Sequence, residues 1–257
     1  MYKLFLILVI FSVKHSVSQT NEEWTGRWFP TDPMIQREAH GGIPMGEIEN
    51  CDDGKTHLDV DYAGTPEQYT CFGNRLLYLP NPEIHPVLEH DHIPKAYSAP
   101  HYCMNETITY KRTIPSFGGH RPVWPQYGEY NYLPTQRWLH SLEHGAVVML
   151  YHPCANYNEV VHLKDIVRNC MYRHIITASN DLHQDRPLAL LTWGNRMFMS
   201  KFDAPIAVKF ISTYANRAPE TTTKNGGYSM GLTQPAKKVS NEKDNKICEK
   251  FTQIYSL

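Results

Sequence analysis

An α/β fold, with a small mixed β-sheet packed against helices, is what this sequence predicts. Three observations carry the prediction. Ala146 to Tyr151 is a continuous apolar run, the pattern of a strand buried on both faces. Val160, Val161, Leu163, Ile166, Val167, Cys170 and Met171 then recur at helical spacing. Leu188 to Trp193 and Arg196 to Ser200 flank Gly194-Asn195, a pair suited to a tight hairpin. An α+β arrangement is the alternative reading.

The chain has 257 residues and is read in four parts. Residues 1–18 have the features of a secretory signal peptide. Lys3 supplies the positive start, Leu4 to Val13 is apolar apart from Ser12, and Ser16-Val17-Ser18 offers the small-x-small cleavage pattern. The apolar run of about ten residues is short for a bilayer-spanning helix, and no later segment approaches that length.

Residues 19–83 are rich in Pro, Gly, Asp and Glu, and form a loop-rich extension tethered by Cys51 and Cys71. Within it Leu76 to Leu79 is expected to be a short strand, ended by Pro80 and Pro82.

Residues 84–220 form the compact domain. Glu106 to Arg112 has β-leaning residues at alternate positions and is expected to be a strand. Ile114 to Tyr130 is punctuated by Pro115, Gly118, Gly119, Pro122, Pro125 and Gly128, so it is expected as an ordered loop. Gln136 to His144 suits a short helix stopped by Gly145. The longer helix over 160–171 takes Asn158 as its N-cap. His174 to Ala178 is a strand. Asp203 caps a last helix with Pro205 in its first turn, and Ile206, Phe210 and Tyr214 share one face of it. Residues 221–257 turn polar and are expected as a flexible tail, held if Cys248 pairs back onto the body.

A formal net charge of −1 carries no basic stripe, which argues against a nucleic-acid partner. The six cysteines, Cys51, Cys71, Cys103, Cys154, Cys170 and Cys248, all follow the leader. In an oxidising compartment an even number implies a disulfide framework, but leaves every pairing open. Asn105-Glu106-Thr107 is a glycosylation sequon, consistent with the same compartment. The expected location is therefore extracellular, with a protein or cell-surface partner of unknown identity.

The densest chemistry is His140-Ser141-Leu142-Glu143-His144. Residues four apart share a helix face, so both imidazoles can reach one metal ion. His120, after the pliant Gly118-Gly119, and His101 are the expected further ligands. Glu143, Tyr130 and Tyr151 are expected to support them, and zinc or copper is the expected ion. His85, His90, His92 and His152 are read as ordinary histidines. The spacing His-x-x-Glu-His is also that of inverted zinc peptidases, whose third ligand would fall to Glu159 or Glu220. That reading needs the motif deep in a long helix, whereas this helix is expected to stop at Gly145. A metal-free interaction module, in which the same residues hydrogen-bond to one another, is the competing reading. No catalytic residue is assigned.

Other patterns carry less. Gly227-Tyr228-Ser229-Met230-Gly231 has nucleophile-elbow spacing, but a poor strand precedes it and no histidine follows it. Met197 and Met199 share a strand face, where core packing explains them better than copper ligation. Trp124, Tyr127, Tyr130 and Tyr132 either line a binding surface or, as aromatics in a proline-rich loop more often do, pack down to fix that loop.

Several stretches together carry a resemblance: Pro115-Ser116-Phe117-Gly118-Gly119-His120, Trp124-Pro125, Tyr127-Gly128-Glu129-Tyr130, Leu139 to Val148, Leu191-Thr192-Trp193-Gly194 and Ala218-Pro219-Glu220. Over roughly residues 101 to 220 the chain resembles a bacterial domain family of unknown function, whose animal members include tumour protein p53-inducible protein 13. The resemblance implies a secreted or membrane-exposed domain without an assigned reaction. Ile114-Pro115 departs from the two prolines usual in the family at that point.

Overall fold

The computed structural model describes residues 39–239, 241 and 243–255, which form one compact unit. The expected signal peptide and the first part of the extension, to residue 38, lie outside the described residues.

Seven strands make one mixed sheet: β1 (Val87–His90), β2 (Gly128–Tyr130), β3 (Val147–Tyr151), β4 (His174–Ala178), β5 (Leu188–Thr192), β6 (Asn195–Met199) and β7 (Leu232–Pro235). Their spatial order is β1-β6-β5-β3-β4-β2-β7. β4 pairs in parallel with β3 and β2, and the other pairings are antiparallel. Four helices accompany the sheet: α1 (Thr135–Glu143), α2 (Tyr157–Cys170), α3 (Ala204–Tyr214) and α4 (Glu249–Tyr255). The α/β class follows from β3, α2 and β4, a parallel pair joined through a helix.

Side-chain alternation splits the core in two. Val147, Met149, Ile176, Leu188 and Leu190 face α2 and α3, together with Met197 and Met199, which are thus core residues. Val148, Leu150, Ile175, Ala189 and Leu191 face the other way, toward Leu139 and Leu142 of α1 and the aromatic loop. That second side carries the histidines.

The central elements fall where the sequence places them, and five others do not. Gly128–Tyr130, expected inside an ordered loop, is β2, because β4 and β7 offer it pairing on both sides. Leu76 to Leu79 is not a strand: Arg75–Tyr78 is a single 3-10 turn, with the Asn74 side chain accepting from Leu76 N at 3.0 Å. Its leucines are exposed, so no neighbour offers a ladder. Glu106 to Arg112 pairs with no strand, and the carbonyl of Glu106 accepts from Arg121 Nη2 instead. α2 begins two residues earlier than expected, because Asn156 rather than Asn158 accepts the free amides of its first turn. The polar C-terminal segment supplies β7 on the sheet edge. It also supplies Asp244, which takes the amides of Tyr172 and Arg173 and pairs with the Arg173 guanidinium at 3.1 Å.

Three disulfides close the framework: Cys51–Cys103, Cys71–Cys154 and Cys170–Cys248. The first two bind the loop-rich extension to the domain, and the third binds the C-terminal segment to the end of α2. Among the described residues no helix is long and apolar enough to cross a membrane.

Candidate metal centre

α1 begins after Pro134 and ends where Gly145 turns left-handed, with φ of +84°. A Cβ there would meet Asn216 Cα at 3.1 Å, because residues 216 to 220 pack over the helix end. The last two turns of α1 thus present His140, Glu143 and His144 on a buried side, covered by the chain returning from α3.

Two loops deliver the other rings. His101 and His120 are bridged in parallel: His120 N donates to Pro100 O at 3.1 Å, and Tyr102 N donates to His120 O at 3.0 Å. Gly119 is required here, because a Cβ would lie 2.3 Å from the Tyr102 ring. A third loop, missed in the sequence, brings His40, whose carbonyl accepts from His101 N at 3.0 Å. Its ring stacks on His101 with centroids 4.2 Å apart. No local signal marks it, since Ala39-His40-Gly41-Gly42 is neither periodic nor part of a motif.

Every ring is oriented by the same device. Nδ1 of His101 donates to Ile43 O at 2.7 Å, that of His120 to Gly118 O at 2.9 Å, that of His140 to Arg121 O at 2.6 Å, and that of His144 to Glu220 O at 2.8 Å. A carbonyl oxygen only accepts, so each Nδ1 carries the proton and each Nε2 is left with a lone pair. All four Nε2 atoms are buried without a hydrogen-bond partner, as is Glu143 Oε2. The ligand atoms of His101, His120 and His140 lie within 4.8 Å of one another, and so do those of His40, His101 and Glu143. Ring centroids of His120 and His140 are 4.4 Å apart, and those of His140 and His144 are 4.6 Å apart.

His120 Nε2 and Glu143 Oε2 approach to 3.1 Å, yet out of hydrogen-bond alignment. Two atoms that both offer lone pairs repel at that distance unless a proton or a metal cation stands between them. His40 differs from the rest. Its Nδ1 faces Ala99 O at 2.9 Å and its Nε2 faces Glu220 Oε1 at 2.8 Å, so both nitrogens are directed at acceptors.

The electrostatics agree with the orientation. Burial, followed by the neighbouring rings of His120 and His40, holds His101 at about 3. Burial holds His144 at about 4. His140 is driven well below the usual 6.5 by burial and then by His120, His144 and His101. Neutral imidazoles are what metal ligation needs. Burial pushes the Glu143 carboxyl up, but its contact with His120 and the nearby His40 and His144 outweigh this, and the net shift is downward.

Buried arginines fix the backbone that carries these rings. Arg121, whose carbonyl orients His140, pairs bidentately with Asp61 at 2.8 and 2.6 Å. Arg173 donates to His144 O at 3.2 Å. Neither arginine is evident in sequence as a positioning residue, because their partners lie far along the chain.

The other expected site residues fall elsewhere. Tyr130 donates to Gln126 O at 2.7 Å, deep in the aromatic core with Tyr127. Tyr151 lies on the far side of the sheet under Lys164. Glu159 accepts from Phe202 N near the start of α2, and neither it nor Glu220 joins the groups whose ligand atoms converge. Asn105 is exposed in a turn beside Cys103. His85, His90 and His92 are exposed, and His152 stacks on Tyr78. Ser229 is exposed immediately before β7, with no histidine beside it among the described contacts.

Residues 101–227 match a family described as a protein of unknown function (DUF3105), a span that contains His101, His120, His140, Glu143 and His144. No curated protein and no solved structure matches the chain.

Proposed function

We propose that this protein is an extracellular metal-binding domain, taking one divalent zinc or copper ion through Nε2 of His101, His120 and His140. His144 and Glu143 stand ready beside that set. One observation carries the reading. Each of the four imidazoles spends its Nδ1 proton on a main-chain carbonyl, which leaves four buried Nε2 lone pairs and a carboxylate oxygen without partners. Buried polar atoms are rarely left unpaired, and five acceptors cannot satisfy one another. A cation satisfies the converging three, His101, His120 and His140, at once. The carbonyl bond on the far nitrogen is also the usual support of a metal-binding histidine. Imidazole-rich sets favour zinc or copper over the harder magnesium and calcium.

The extracellular part rests on the apolar leader, on three disulfides with no free cysteine among the described residues, and on the exposed Asn105 sequon. Leader cleavage after Ser18 and a glycan on Asn105 belong to the same proposal.

The test is elemental mass spectrometry on protein secreted from animal cells and purified without chelator or tag. About one equivalent of zinc or copper is expected, with loss of it in the double variant His120→Ala, His140→Ala. Unchanged metal content in that variant, or none in the parent with its fold intact, would overturn the reading. The second outcome would point to a metal-free interaction module.

A further inference from the structure

A cation satisfies lone pairs, but it cannot satisfy a donor. Trp124 packs its indole against the same cluster, with ring centroids 5.3 Å from His140 and 5.0 Å from His144. Its Nε1 is buried and has no hydrogen-bond partner. In the cluster the Nδ1 protons of His101, His120, His140 and His144 are already committed, so the Trp124 N–H, packed against His140 and His144, is a free donor beside a set of five free acceptors. Once a metal occupies the nitrogens, the indole still lacks an acceptor, and a buried N–H left unpaired is destabilising.

We propose that the site holds, beside the metal, a small exogenous ligand: a water molecule, exchangeable for a small inorganic anion. It accepts from Trp124 Nε1. This rests on the metal reading and deepens it. The centre is an open one, with a coordination position for small ligands, rather than a closed structural site. Access is at hand. A cavity of about 810 Å³ is lined by Gly41, Tyr97, Ser98, Pro100, Tyr102 and Gly119, among others. Gly41 follows His40 in the chain, Pro100 and Tyr102 flank His101, and Gly119 precedes His120. The cavity therefore lies along the backbone of three loops that supply the cluster.

Azide on the copper(II)-loaded full-length protein is the probe. The measurements are copper stoichiometry first, then an azide titration followed by the azide-to-copper charge-transfer band. A saturable band is expected in the parent. Trp124→Phe keeps the ring and removes the N–H, and should bind copper equally while weakening azide about tenfold, the loss of one hydrogen bond to a charged acceptor. Glu143→Gln removes a negative charge beside the ligand and should tighten azide, a change that misfolding would not produce. Full copper binding with no azide band, or azide affinity unchanged in both variants, would overturn the open site and leave the metal site standing. Absence of copper binding in the parent would remove both. If Trp124→Phe does not fold, the Glu143→Gln titration decides alone: tightening sustains the proposal, and no change overturns it.

Discussion

Asp52 and Arg137 form a fully buried bidentate pair, with Nη1 to Oδ2 at 2.6 Å and Nη2 to Oδ1 at 2.9 Å. Asp52 comes from the loop-rich extension and Arg137 from α1, one turn before His140. The same carboxylate accepts from Val123 N at 2.9 Å, so one aspartate joins the extension, the helix that carries the motif and the loop that carries Trp124. The extension is therefore part of the site's scaffold.

Asp52→Ala should cost about 3–5 kcal/mol, because it strands a buried guanidinium. Its urea midpoint should fall with the slope unchanged. Metal affinity should fall with it, since α1 loses its anchor beside His140. A midpoint within experimental error of the parent would show that Arg137 finds another partner.

The metal-free protein should lose stability in mild acid. Burial holds His144 and His174 at about 4, and burial with neighbouring rings holds His101 at about 3, against a usual 6.5. Between those values the unfolded chain takes up protons that the folded chain refuses. The stabilisation is thus complete above about 6.5 and is lost progressively as pH falls toward about 4. Urea midpoints recorded from pH 7.5 to 4.5 should decline across that window, and a flat profile would contradict buried neutral rings.

Gly226→Ala should be far more damaging than an ordinary surface substitution. An added Cβ would lie 2.0 Å from Trp124 O and 2.4 Å from Pro125 O, both main-chain atoms that cannot yield locally. A loss of at least about 2 kcal/mol is expected. Displacement of Trp124 should also appear as a shifted tryptophan emission spectrum.

Replacing both Cys71 and Cys154 by Ser should lower stability by about 2–5 kcal/mol. The bridge holds the extension just past β3, beside His152 and not among the converging ligands, so metal stoichiometry should survive at low temperature. Limited proteolysis should then cut first between residues 60 and 85. Loss of metal at a temperature where the fold persists would place the extension's register, rather than its stability, under this bridge.

Much of the interior was legible in sequence. The apolar run of β3, the helical spacing of α2 and the hairpin of β5 and β6 are local patterns with one satisfactory solution each. Asp203 and Pro205 mark the start of α3 in the same way. The two expected strands that do not form share one cause. Leu76 to Leu79 and Glu106 to Arg112 have strand-like composition, but a strand exists only where another strand pairs with it, and that is decided at a distance.

The sequence by itself determined that His140 and His144 share a face of one helix, that Glu143 lies beside them, and that Gly145 ends the helix. It also determined that six cysteines stand ready to pair. The tertiary structure alone decided which cysteines pair, that His101 and His120 meet through a parallel bridge, that His40 stacks over them, and that Trp124 closes the far side. The physical reason is range. Helical neighbours are fixed by a rise and a rotation per residue, whereas the loops bearing His40, His101 and His120 carry no period. Their positions follow from buried carboxylate–arginine pairs, disulfides and single main-chain hydrogen bonds between residues tens of positions apart.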